Sequence, residues 1–124
     1  MDKLTKTYRI YFDANALHLI VFNSAVIDLD TAKEIESIVK TFSKNLKSLK
    51  LIDARAPFTI EPEAQNYFHS QRNKKKTLAQ AILVGSMTKQ QTMDFFLEMK
   101  SKKLPTKVFV DYDAAIDWLN AFYY

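Results

Sequence analysis

Short apolar segments alternate along the chain with longer segments in which apolar and polar residues recur at helical spacing. The apolar segments are rich in β-branched and aromatic residues, a composition typical of strands. They predict five strands, at residues 8–12, 17–22, 49–52, 78–84 and 108–110. Residues 13–16 include Asp13 and Asn15, and both residue types tolerate left-handed turn geometry. The first two strands are therefore predicted to form a β-hairpin.

The amphipathic segments between the later strands predict four helices. The first has Asp30 or Thr31 as its expected cap, and Thr31 with Glu34 matches a capping box. The third is expected to end before residue 105, because proline cannot continue a helix. The second helix is expected to start at Pro62. The third is expected to be capped by Ser86 or Thr88, and the fourth by Asp111 or Asp113.

The predicted element order is ββαβαβαβα, in a single domain over residues 1–124. Strands that alternate with helices imply βαβ units and a mostly parallel, five-stranded α/β sheet. Right-handed crossovers place helices on both faces of such a sheet, and the hairpin adds an antiparallel edge. A chain of 124 residues is long enough to bury a core without disulfides.

Composition narrows the function classes. The net charge is +4. The sequence has no cysteine, which excludes disulfides and thiolate sites and agrees with a cytoplasmic location. The basic clusters at residues 72–76 and 100–103 are interpreted as solvated loop or helix-end charge. Nucleic-acid binding is disfavoured, because the aromatic residues beside the first cluster fit a core face. No apolar run reaches the ~18–20 residues of a membrane span, and the polar N-terminal residues do not resemble a signal peptide.

Familiar catalytic and cofactor motifs are missing from the sequence. A single glycine, Gly85, excludes the glycine-rich phosphate loops. His18 and His69 have no partners at metal-ligand spacing and belong to no Ser-His-Asp or Cys-His motif. We therefore expect a protein that is not an enzyme and that has no cofactor and no metal.

Polar and aromatic residues follow the predicted strands at the end where open α/β sheets bind their ligands. Asp111 is most simply a helix cap, whereas Asp53 either caps a turn or contacts a partner. Phe58 and Tyr112 lie at the same end, where they form either a partner surface or local packing of a loop on the sheet. The candidate partner-binding residues are Asp53, Arg55, Phe58, Thr59, Glu61 and Tyr112.

The end of the chain carries a family resemblance. Residues 107–119 read as a strand, an acidic cap and then Ala-x-x-Trp-Leu, and residues 51–53 are Leu-Ile-Asp. With the predicted element order, these segments resemble the STAS domain family, in particular its bacterial SpoIIAA-like branch. That branch shares a fold with Sec14-type lipid-transfer domains. The resemblance implies a SpoIIAA-like fold over nearly the whole chain and a function in partner binding.

One part of the family pattern is absent. The resemblance implies a phosphorylatable serine at a helix N-terminus, in an Asp-Ser-x-Gly turn. Glu61 and Pro62 stand there in this sequence, and no glycine follows. Thr59 is the nearest hydroxyl, and it either substitutes for the missing serine or caps the helix or its preceding turn. A phosphate would add roughly −2 charge there.

The leading hypothesis is a non-enzymatic, STAS-like interaction or regulatory module without the usual phosphorylatable serine. Its protein partner is unknown, and the expected contact surface is residues 55–67. Self-association through the hairpin edge is a further prediction, because an open strand edge invites pairing. The alternative is a small-ligand or lipid-binding domain of Sec14-like fold.

Overall fold

The computed structural model describes residues 2–13, 15–43, 48–71, 77–85 and 105–122. The strands are β1 Asp2–Leu4, β2 Tyr8–Asp13, β3 Ala16–Val21, β4 Val26–Ile27, β5 Ser48–Ala54, β6 Thr59–Ile60, β7 Thr77–Val84 and β8 Thr106–Phe109. The helices in this part of the chain are α1 Leu29–Ser43, α2 Pro62–Gln71 and α3 Tyr112–Asn120. The helix predicted between residues 86 and 104 lies outside the described residues.

Within the described residues, the main sheet has six strands in the order β1-β2-β3-β5-β7-β8. The strands β1, β2 and β3 pair antiparallel, whereas β3, β5, β7 and β8 pair parallel. The two short strands β4 and β6 form a separate parallel pair. The predicted mixed, mostly parallel α/β sheet is therefore confirmed. The predicted order ββαβαβαβα with five strands is wrong in detail, because it lacks β1, β4 and β6.

The β2–β3 hairpin forms as predicted. Its strands pair from Tyr8 opposite Val21 to Asp13 opposite Ala16. Asn15, in the turn, has a φ of 64°, in the left-handed region that asparagine tolerates better than most residues. The polar residue types of the turn thus indicate both its position and its backbone conformation.

Two strand predictions need correction. The first strand of the sheet, β1, was not predicted, because Asp2-Lys3-Leu4 has no apolar pattern and all three residues are exposed. It is held instead by backbone pairing with β2 and by an ion pair from Arg9 Nη2 to Asp2 Oδ2 at 2.7 Å. The hairpin is consequently not the sheet edge. The strands β4 and β6 have two residues each, too short for a hydrophobic period.

Helix α1 begins earlier than predicted. Its cap is Asp28, whose Oδ1 accepts from the Thr31 N–H at 2.8 Å, so neither Asp30 nor Thr31 is the cap. Asp30 lies in the first turn, where a carboxylate favours the helix dipole. For α3 the prediction is confirmed, because Asp111 Oδ2 accepts from the Ala114 N–H at 3.0 Å.

Helices cover both faces of the sheet, as predicted. On one face, α1 packs on buried residues of the hairpin that include Ile10 and Leu17. On the other face, α3 packs on β5 and β7. The β7 residues under α3 include Ala79 and Ala81, which are fully buried, and such small side chains let a helix approach the sheet closely.

Candidate functional site

The turn after β5 is organised by an aspartate and an arginine two residues apart. Asp53 is buried, with 8% of its surface exposed. Its Oδ1 accepts from the Arg55 backbone N–H at 3.2 Å and from Nε at 3.0 Å, and its Oδ2 accepts from Nη2 at 2.7 Å. Asp53 thus caps the turn, one of the two roles predicted for it, and its contact with a partner stays a prediction. Because the charges of Asp53 and Arg55 are paired, the pKa of Arg55 is raised.

Main-chain hydrogen bonds fix the same turn from its other side. The Ser24 N–H donates to the Pro57 carbonyl at 2.7 Å, and the Thr59 N–H donates to the Ala25 carbonyl at 2.9 Å. These bonds tie the β5–β6 connection to the β3–β4 connection, where Ser24 adopts a φ of 62°. At Gly85, an added Cβ would lie 3.2 Å from the Arg55 carbonyl oxygen. The end of β7 therefore packs closely under the turn.

We call the exposed surface of this region the rim. It is formed by residues of the β5–β6 connection, of β4 and β6, and by Glu61 after β6, all beyond the carboxyl ends of β3 and β5. Its exposed residues are Val26, Arg55, Pro57, Thr59 and Glu61. Val26 stands directly opposite Thr59 in the β4–β6 pair, and 52% of Val26 is exposed. The rim thus presents apolar, hydroxyl and charged groups on a fixed backbone.

The candidate residues between 58 and 61 have different roles in the structure. Phe58 is half-buried and packs against two core clusters, one that contains Ile27 and one that contains Val84. Thr59 lies in β6 and is separated from α2 by two residues, so it is not the helix cap. Glu61 precedes Pro62, and its backbone N–H donates to the Ile27 carbonyl at 3.0 Å. Phe58 therefore anchors the loop, while Thr59 and Glu61 remain exposed.

Tyr112 lies on the α3 side of the sheet, at the first position of that helix. Its hydroxyl is 3.0 Å from Nε2 of His18, whose side chain is almost fully buried at 1% exposure. The His18 ring stacks on Tyr11, with ring centroids 4.7 Å apart and an interplanar angle of 16°. We call Tyr11, His18 and Tyr112 the His18 cluster. It joins β2, β3 and the start of α3.

Sequence reasoning missed two members of this cluster, His18 and Tyr11. A usable signal was present, since the predicted hairpin with its turn at 13–16 places Tyr11 opposite His18. Directly opposed residues of antiparallel strands are neighbours on one face and interact. The contact from His18 to Tyr112 spans 94 residues, and no local pattern indicates it.

The rim and the His18 cluster are linked electrostatically through Asp53 and Arg55. The charge of Arg55 acts on both Tyr11 and Tyr112, and the charge of Asp53 acts on Tyr11 and His18. The structure therefore pairs Asp53 with Arg55, and the charge of Arg55 acts on Tyr112. It leaves Phe58, Thr59 and Glu61 on the side of the sheet edge next to β4 and α2.

Burial decides the protonation states in the cluster. It lowers the pKa of His18 below the ordinary 6.5, although the Ala16 carbonyl and the charges of Asp13 and Asp53 act in the opposite direction. Burial also raises the pKa of Tyr11 and of Tyr112. At neutral pH all three side chains of the cluster are therefore uncharged, and each hydroxyl keeps its proton.

The described residues contain no group of three or more histidine and carboxylate side chains arranged to hold a metal ion. In the same part of the chain, no helix has the length and hydropathy required to cross a membrane. Among the described residues, this edge of the sheet presents hydrogen-bonding groups, the Asp53–Arg55 ion pair and apolar side chains.

Comparison with known proteins agrees with this architecture. The crystal structure of an uncharacterised protein from the DUF3478 family, with a SpoIIAA-like fold, from Shewanella loihica PV-4, is similar to this chain with a TM-score of 0.68 and 14% sequence identity. The match covers 91% of this chain and 92% of that one, which confirms the predicted SpoIIAA-like fold. No curated protein matches the sequence. The model of a family described as a domain of unknown function, DUF7793, matches residues 10–123, and the chain therefore belongs to the DUF7793 family.

Proposed function

We propose that this protein is a non-enzymatic interaction module, STAS-like in function as well as in fold, that binds a protein partner through the rim. The observation that carries the proposal is the combination of a fixed backbone with exposed side chains. Hydrogen bonds from Ser24, Thr59 and Glu61 hold the β5–β6 connection, while Val26, Arg55 and Thr59 stay exposed. A surface ordered in advance loses less conformational entropy when a partner binds.

The chemistry of the rim suits a protein partner. Val26 offers an apolar contact, and the guanidinium of Arg55, with 53% of its side chain exposed, is held in place by Asp53. Arginine is enriched in protein interfaces, and a pre-positioned guanidinium loses little side-chain entropy on binding. Tyr112 is half-buried and is influenced by the charge of Arg55, so we include its exposed surface in the proposed contact.

We also propose that the protein is not an enzyme. A general base must reach a substrate proton with a free lone pair, whereas Nε2 of His18 lies against the Tyr112 hydroxyl and the Asp53 carboxylate receives three bonds from Arg55. His18 is thus hydrogen-bonded to Tyr112, and Asp53 is paired with Arg55. Their arrangement supports a structural role next to a binding surface.

The proposed binding does not depend on a phosphorylated serine. Glu61 and Pro62 occupy the positions before and at the start of α2, so a carboxylate already stands at the helix N-terminus, where negative charge is favourable. Phosphorylation of Thr59 stays a prediction. The cytoplasmic location also stays a prediction. Self-association stays a prediction too, although the outer strand β1 is short and carries Asp2 and Lys3, features that protect a sheet edge from pairing.

Affinity capture from native lysate tests the proposal with matched variants. In the rim variant, Val26→Lys and Thr59→Lys place two charges on directly opposed exposed positions. In the control variant, Leu4→Lys and Phe12→Lys add the same charge at exposed apolar positions of β1 and β2, 67% and 42% exposed, which are not rim residues. We expect the wild type and the control to capture the same protein, and the rim variant to lose at least about tenfold in capture, equivalent to about 1.4 kcal/mol.

Equal capture by all three proteins, with the fold of each verified by circular dichroism, would contradict binding through the rim. If none captures a protein, the alternative of a small-ligand or lipid-binding domain becomes the leading hypothesis. Organic extraction of the purified chain followed by mass spectrometry then tests that alternative.

A further inference from the structure

The hydrogen bonds of His18 specify where its proton lies. Nδ1 is 3.1 Å from the Ala16 carbonyl oxygen, which can only accept, so Nδ1 carries the hydrogen. Nε2 is then the lone-pair nitrogen, and the Tyr112 hydroxyl, 3.0 Å away, donates to it. The neutral ring is thus fixed as the Nδ1–H tautomer, and Tyr112 is fixed as a donor that points into the sheet.

The surroundings of His18 limit where it can take up a further proton. The ring is 1% exposed, lies against Tyr11 and contacts the first residue of α3 through its side chain. A proton added to His18 can only go to Nε2, because Nδ1 already carries one. The Nε2–H would then have to donate to the Tyr112 oxygen, and the Tyr112 hydroxyl hydrogen would have to turn away from the ring.

We propose that His18 and Tyr112 form a proton-operated switch, in which protonation of Nε2 converts Tyr112 from a hydrogen-bond donor to His18 into an acceptor from His18. The hydroxyl hydrogen of Tyr112 then becomes available beside the rim. The inference rests on the proposed function for its consequence, since the proposed contact surface includes Tyr112, but the switch itself is a property of this chain alone.

Several charged and titratable groups face the switch from the elements packed around it. They are Arg9, Tyr11 and Asp13 from β2, Asp53 from β5, Arg55 from the turn after β5, and Tyr112 and Asp113 from α3. The carboxylates of Asp13 and Asp53 favour the imidazolium, while burial opposes it and prevails, so that the pKa of His18 lies below 6.5. The donor state of Tyr112 therefore holds at neutral pH, and the switch acts on acidification.

Nuclear magnetic resonance tests the switch in the whole chain, without a partner. The sequence has only two histidines, His18 and His69, so ¹⁵N–¹H correlations of the imidazoles are readily assigned with a His69→Gln control. Above pH 6.5 we expect His18 to show the pattern of a proton on Nδ1. On acidification, the hydroxyl-bearing ring carbon of ¹³C-labelled Tyr112 should shift with the same midpoint as His18.

In His18→Gln the acid-dependent shift of Tyr112 should disappear, and in His69→Gln it should remain. A neutral His18 ring with its proton on Nε2 would overturn the switch. So would a Tyr112 signal that stays constant while His18 titrates, or unfolding before His18 takes up a proton. These results are obtained on the wild type, so they stand even if His18→Gln does not fold. Failure of the lysate capture would leave them unaffected.

Discussion

The two faces of the β2–β3 hairpin are stabilised in different ways, although they alternate residue by residue along the same strands. On the α1 side, Tyr8, Ile10 and Leu17 are buried, each at most 2% exposed. The Tyr8 hydroxyl on this side donates to Glu34 of α1. On the α3 side, the same strands present Arg9, Tyr11 and His18, which form an aromatic and polar stack.

The difference shows how one hairpin can serve both the core and the functional edge. Apolar burial contributes roughly 25 cal/mol per Å² without a directional requirement, so the α1 face stabilises the domain. Hydrogen bonds and ring stacking require defined geometry, so the α3 face fixes where α3 begins. The polar face therefore positions Tyr112 beside the rim, while the apolar face supplies more of the stability.

The largest loss of stability is expected from a substitution in the apolar face. Ile10→Ala removes a fully buried side chain and should lower the free energy of unfolding by about 2–5 kcal/mol, because transfer and cavity terms add. Leu4→Ala, at a residue that is 67% exposed, is the control and should change it by less than about 0.5 kcal/mol. Urea denaturation followed by circular dichroism measures both, and equal losses would contradict the difference in burial.

A smaller effect is expected on the polar face. His18→Ala removes the stack on Tyr11 and two hydrogen bonds, for which we expect a loss of about 1–3 kcal/mol. The same denaturation experiment compares this variant with Ile10→Ala. A loss from His18→Ala larger than that from Ile10→Ala would mean that the polar stack, rather than the apolar face, dominates the stability of the hairpin.

The helix caps should contribute equally on the two faces. Asp28 caps α1 over the apolar face and Asp111 caps α3 over the polar face, so alanine at either position should lower the midpoint of thermal unfolding by a similar amount. Asp30→Ala is the control and should cost only about 0.3–1 kcal/mol through the helix dipole. Thermal unfolding of the three variants distinguishes them. A larger loss from Asp30→Ala than from Asp28→Ala would restore Asp30 as the cap.

The least disruptive comparison varies pH alone. Because the pKa of His18 is lower in the folded chain than its ordinary 6.5, the folded state binds fewer protons than the unfolded state. The stabilising contribution is therefore complete above 6.5 and is lost progressively as pH falls from 6.5 through the folded-state pKa. We expect Ile10→Ala to keep this dependence and His18→Gln to lose part of it. Parallel pH profiles for wild type and His18→Gln would contradict the assignment.

The sequence predicted the fold wherever a local pattern carries the structure. The apolar runs of β2, β3, β5 and β7, the turn at Asn15 and the cap at Asp111 all follow from residue types within a few positions of one another. In contrast, β1 is held by backbone pairing and by the contact of Arg9 with Asp2, and neither leaves a hydrophobic pattern.

The same distinction between local patterns and long-range contacts applies to the candidate site. Asp53 and Arg55 are two residues apart, so their capping of a turn was foreseeable, and it was one of the two roles predicted for Asp53. Tyr112 was predicted at the correct end of the sheet, but its partner His18 is 94 residues away. That contact depends on how α3 packs across β7 and β5, a tertiary arrangement that one sequence without aligned relatives does not specify.

The central claim is that a protein partner contacts the rim, and amide hydrogen exchange tests it most directly. The wild-type chain is labelled alone and with the protein recovered by affinity capture. We expect slower exchange in the complex at residues 26–27 and 55–61, and unchanged exchange at residues 2–8, in β1 and the start of β2. Protection of β1 with no change at residues 55–61 would contradict the claim and would place the partner on the sheet edge instead.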